Sequence, residues 1–106
     1  MGYYSKYTVS AYDGQDKSYV YLEYRDDWES TFNAITGFPF YHLDEETRWY
    51  DCEEDMIKVS KRYPDLLFEV ERIGEDPDDR VIMRFKNGDS ESVTGEFVYE
   101  DFKRLT

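Results

Sequence analysis

The sequence is poor in several residues on which much protein chemistry depends: it has one cysteine, one histidine, three prolines and only 13 Lys and Arg against 25 Asp and Glu. A single Cys52 excludes an internal disulfide and, with it, a disulfide-stapled secreted scaffold. The shortage of cations disfavours direct binding to nucleic acid phosphates and to anionic membrane surfaces, both of which are held by Lys and Arg. No apolar run is long enough to span a bilayer, and no Gly-rich phosphate loop is present. The opening Met1 to Lys6 lacks the apolar stretch of a signal peptide, and Lys6 stands where a myristoylation signal has Ser or Thr. The cytoplasm is therefore the expected compartment.

Aromatic residues are abundant. Eleven Tyr, seven Phe and two Trp accompany a formal net charge of −12 on 106 residues. Chains this acidic usually stay disordered for want of apolar surface to bury, but 19% aromatics supply that surface. The length fits one acidic folded domain able to bury roughly 65% of its unfolded surface.

Tyr7, Val9 and Ala11 alternate with Lys6, Thr8 and Ser10 up to the turn dipeptide Asp13-Gly14, which predicts a first strand over Tyr3 to Asp13. The stretch Ser18 to Tyr24 fits a strand by composition and a helix by the spacing of Val20, Tyr21 and Tyr24. Asp26 to Thr36 reads as a helix capped by Asp26 or Asp27, with Trp28, Phe32 and Ile35 on one face and Gly37 as its stop. A short strand is expected at Thr47 to Tyr50. Asp51-Cys52-Glu53-Glu54 has the form of a capping box for a second helix, carried on by Met56, Val59 and Tyr63 and ended by Pro64. After Pro64 the period falls to two. Leu66, Phe68 and Val70 form one strand and Val81, Met83 and Phe85 the next. Asn87-Gly88 marks a hairpin into a strand over Glu91 to Tyr99, and Glu100 to Leu105 reads as a short helix or frayed end. The fold class is α+β, with a ferredoxin-like open antiparallel sheet and two helices packed on one face as the expected architecture.

The segment Arg48 to Met56, continued through Ser60 to Phe68 and Phe85 to Gly88, resembles a family of small uncharacterised proteins of tailed bacteriophages and prophages. That family is similar in pattern to a ferredoxin-like domain of phage-island proteins, and the opening Met1-Gly2-Tyr3-Tyr4 fits the same group. Relatives often carry His in place of Cys52, so the resemblance gives that position no metal role here. Relatives also have a polar middle, whereas Ser18 to Tyr41 is crowded with aromatics. The resemblance implies a phage origin and a bacterial host cytoplasm, and it is nearly silent on activity.

Catalysis would rest on His42 and Cys52, ten positions apart, which need hydrogen-bond reach and a third orienting group. A loop histidine and a half-buried thiol are the plainer reading. Asp44-Glu45-Glu46 and the run Glu75, Asp76, Pro77, Asp78, Asp79 lack the ligand spacing and central Gly of a calcium loop, so they read as solvated acidic loops. Neither a catalytic, a metal nor a cofactor site is expected. Tyr19, Tyr21, Tyr24, Trp28, Phe38, Phe40 and Tyr41 are the candidate anchors for a protein partner, because Tyr and Trp are enriched at interfaces. Asp44, Glu45, Glu46, Glu75, Asp76, Asp78 and Asp79 are the acids that would steer the encounter. The expected function is that of a non-enzymatic accessory protein, monomeric or a small homo-oligomer, that binds and modulates a host or anti-phage defence protein. A nucleic-acid mimic is the alternative, and acidity serving solubility alone is the bland reading.

Overall fold

Alternation places every second side chain of a strand on one face, and in this chain most of the apolar strand residues fall on the same face. The computed structural model describes residues 5–43, 45, 47–74 and 79–94. It contains β1 (Lys6–Asp13), β2 (Tyr19–Val20), α1 (Trp28–Thr36), α2 (Cys52–Arg62), β3 (Leu66–Ile73), β4 (Arg80–Lys86) and β5 (Asp89–Thr94). All strand pairs are antiparallel, in the order β2-β1-β3-β4-β5. The fold is an α+β arrangement of one open sheet and two helices.

Register builds the core in transverse rows. Val20, Ala11, Phe68 and Phe85 lie side by side across four strands, and Val9, Val70 and Met83 form the next row. Trp28 and Phe32 from α1 and Cys52, Met56 and Val59 from α2 join these residues in one buried cluster, so both helices cover the same face. Gly37 ends α1 at φ +80, where an L side chain would be strained. Tyr63 caps α2, and Pro64 after it cannot continue the helix. Asn87 and Gly88, at φ +47 and +90, form the tight turn between β4 and β5. The Gly88 amide donates to Ser60 Oγ at 2.9 Å, and that hydroxyl donates to the Ile57 carbonyl at 2.8 Å, which ties the hairpin to α2.

The opposite face carries charges beside a smaller apolar set, in which Leu67 and Ile82 are buried. Arg84 and Glu69 stand directly across β4 and β3 with Nη2 and Oε1 3.0 Å apart, and Arg80 pairs with Glu71 one step along the diagonal. Lys6, Arg80, Arg84 and Lys86 share this face with Glu69, Glu71, Asp89 and Glu91, so its signs balance. Most of the acidic excess lies elsewhere in the chain: residues 13–65 hold fourteen Asp and Glu against six Lys and Arg.

Several expectations are corrected. Ser18 to Tyr24 is neither one strand nor one helix: Tyr19 and Val20 pair with β1, and Leu22–Tyr24 form a single 3-10 turn because buried Leu22 pulls the chain toward the core. Thr47 to Tyr50 supplies only a bridge from Thr47 to Ser5. Asp51 makes no capping hydrogen bond, since its backbone already turns at φ −96, ψ 26 instead of the extended geometry that aims a cap side chain at the first amides. Asp27 precedes α1 but its carboxylate accepts from the Tyr63 hydroxyl at 3.1 Å instead of capping. β5 is observed over Asp89–Thr94, and the rest of the expected strand and the tail beyond it lie outside the described residues.

Candidate functional site

Four tyrosines meet along the β2 edge of the sheet. Tyr12 occupies the charged face of β1, on the parity opposite to buried Ala11, and stands across from Tyr19. The turn between them is fixed by Asp13, whose Oδ1 accepts from the Gln15 and Asp16 amides at 2.8 and 3.2 Å. Asp16 in turn accepts from the Ser18 amide and hydroxyl at 2.9 and 2.7 Å, bonds that hold its carboxyl below the usual carboxylate range. Leu22, buried at 3%, anchors the 3-10 turn that carries the last two rings.

The rings contact one another in sequence. Tyr12 and Tyr19 lie 5.7 Å apart edge to face, Tyr19 and Tyr21 4.9 Å, and Tyr21 and Tyr24 5.6 Å. Tyr19, Tyr21 and Tyr24 are 49, 56 and 79% exposed, so the ladder offers its rings to solvent instead of filling the core. Glu23, Asp26 and Asp27 accompany it in the chain, and Arg25 is drawn away over the Tyr63 ring, 5.9 Å from its centroid. Partial burial raises the Tyr63 phenol above its ordinary value. Tyr12, Arg25 and Tyr63 were not among the candidates from sequence. An aromatic on the polar parity of an alternating strand, as Tyr12 is, was the available signal.

The other candidate residues are dispersed. Trp28 is 1% exposed, stacked on Phe68 with centroids 5.8 Å apart and edge-on to Phe40, and cannot anchor a partner: it is the centre of the core. Phe38 and Phe40 are half-buried against the same cluster. Tyr41 is exposed and contacts Phe40. Glu45 is exposed beside His42, with 3.5 Å between Oε1 and Nδ1. Asp79 is held by Arg72 in a two-pronged pair at 2.9 and 3.3 Å and is a structural clasp instead of a free acid. Asp44, Glu46, Glu75, Asp76 and Asp78 lie outside the described residues. Among the described residues no group of three or more His, Cys, Asp or Glu side chains gathers as a metal site would. Also among them, no helix is long and apolar enough to cross a membrane.

Cys52 is not the half-buried thiol of the plainer reading. It is 6% exposed, at the start of α2, while His42 lies in an exposed turn. Burial, with Asp55 nearby, pushes the Cys52 thiol up from 9.0 to about 12, so the thiol is protonated at neutral pH and is a poor nucleophile. An unfolded thiol ionises from about pH 9 while the folded one resists until about 12, so stability present below pH 9 is lost across that window at up to about 1.4 kcal/mol per pH unit. Urea midpoints measured between pH 9 and 11 are expected to fall, and Cys52→Ala is expected to flatten the fall. An unchanged slope in that variant refutes the assignment.

No family model, curated protein or solved structure matches this chain.

Proposed function

We propose that this protein is a non-enzymatic phage accessory protein that binds and modulates, as an inhibitor, a host or anti-phage defence protein in the bacterial cytoplasm. The observation that carries the binding reading is the ladder of exposed tyrosines on the β2 edge. Rings of this kind bring large apolar area at small entropic cost, and their hydroxyls tolerate both water and a polar partner. The phage origin rests on the sequence resemblance. We also infer a ferredoxin-like relationship at the level of layers, one open antiparallel sheet with two helices on one face. The chain order, two strands, two helices and three strands, departs from the β-α-β-β-α-β order of that fold, so the relationship concerns architecture and not connectivity.

The test is a pull-down from bacterial lysate with wild type and with Tyr19→Ser/Tyr21→Ser/Tyr24→Ser. A stoichiometric protein recovered by wild type and lost by the variant is the expected result. Equal recovery by both, or by neither, overturns the reading. The acid excess over residues 13–65 favours a second reading, a nucleic-acid mimic that occupies a phosphate-binding groove. In that case the captured partner loses DNA or RNA binding when saturated with this protein; in the first reading it retains it.

A further inference from the structure

We infer that the tyrosine ladder is a docking surface for an arginine-rich segment of a partner protein, an inference that rests on the binding reading and gives it a chemistry. Three observations converge on it. First, Tyr19, Tyr21 and Tyr24 are exposed aromatic rings, groups whose quadrupole attracts a cation, and their mutual contacts hold them as a pre-formed row. Second, the chain carries a formal net charge of −12, and residues 13–65, which include the ladder, contribute −8 of it (fourteen Asp and Glu against six Lys and Arg). Glu23, Asp26 and Asp27 follow Tyr21 closely, whereas the charged sheet face balances its signs. A cationic partner is therefore drawn to this acidic protein and an anionic one is repelled.

Third, the protein already contains one instance of the same recognition. The Arg25 guanidinium lies over the Tyr63 ring, whose hydroxyl donates to the Asp27 carboxylate at 3.1 Å. A planar cation is thus held by a phenol ring whose hydroxyl is tied to an acid. The exposed ladder offers rings of the same kind, and among the described residues no internal arginine lies over Tyr19, Tyr21 or Tyr24. Arginine fits better than lysine because its flat, weakly hydrated guanidinium stacks on a ring while its edge donates to carboxylates.

The probes are fluorescein-labelled nona-arginine and nona-lysine peptides, titrated by anisotropy at 150 mM salt, where charges beyond about 8 Å are screened. Wild type is expected to bind nona-arginine several-fold more tightly than nona-lysine, a comparison that needs no variant and so no assumption about folding. Tyr19→Ser/Tyr21→Ser/Tyr24→Ser keeps the net charge and is expected to weaken nona-arginine binding by about tenfold. Equal affinity for the two peptides, or equal affinity of wild type and variant, reduces the attraction to general acidity and overturns the inference. Failure here with a partner still lost by the variant in the pull-down removes the arginine chemistry alone. Peptide binding with no tyrosine-dependent partner in the lysate removes the functional reading instead.

Discussion

Trp28→Ala is expected to lower folding stability by about 4 kcal/mol, read as a large fall in urea midpoint with little change in slope. The size follows from position. Trp28 is 1% exposed and touches Phe32, Phe40, Tyr63 and Phe68, so its removal empties the junction of α1, the aromatic loop, the end of α2 and β3 in one step. Stability of a domain this size is commonly 5–15 kcal/mol, so the variant would sit near its unfolding threshold. Trp28→Phe separates volume from polarity. Among the described residues the buried indole N–H has no hydrogen-bond partner, so a phenyl ring loses some contact but also removes an unsatisfied donor. Its cost is expected to stay under about 2 kcal/mol. A Phe variant as damaged as the Ala variant would show that the indole makes a bond not accounted for by packing.

Arg84→Ala is expected to cost about 3 kcal/mol, because it leaves Glu69 partly buried opposite an apolar stub. The Arg84 side chain is only 7% exposed and Glu69 19%, which places the pair well beyond the weak regime of surface ion pairs. Replacing both partners, Arg84→Met with Glu69→Leu, is expected to return stability to within about 1 kcal/mol of wild type, since neither charge then has to be desolvated. Chemical denaturation of the two single variants and the double variant forms a thermodynamic cycle. Additive losses would show that the two residues do not act as a pair.

Much of the sheet was legible because one apolar set alternates along each long strand, although Leu67 and Ile82 are buried on the opposite parity, which alternation does not foretell. Tyr7, Val9 and Ala11, then Leu66, Phe68 and Val70, then Val81, Met83 and Phe85 each declare one face, and Asn87-Gly88 declares its own turn. Pro64 likewise marks the end of α2 without help from tertiary structure. What remained hidden depends on partners far away in the chain. Asp27 looks like a helix cap locally, yet Tyr63, thirty-six positions on, engages its carboxylate. Asp55 would read as one more acid of a helix start, but it accepts from Trp49 Nε1 at 2.8 Å and fixes that indole in the core.

The candidate site was half legible for the same reason. Composition singled out the aromatics between Tyr19 and Tyr41, but no local rule distinguishes Trp28, which the sheet buries, from Tyr21 and Tyr24, which it leaves outside. The decision is made by Leu22, whose burial turns its tyrosine neighbours outward.

The position of β1 between β2 and β3 has a consequence for assembly. β3, β4 and β5 are joined by short connections and can zip together in sequence, whereas Asp13 meets Leu66 only after both helices and the aromatic loop have been drawn in between. Closing that long loop costs entropy that the hairpins do not incur. The sheet is thus a quickly formed local ribbon joined to a distant strand, and its central seam is the contact that commits the whole chain to one structure.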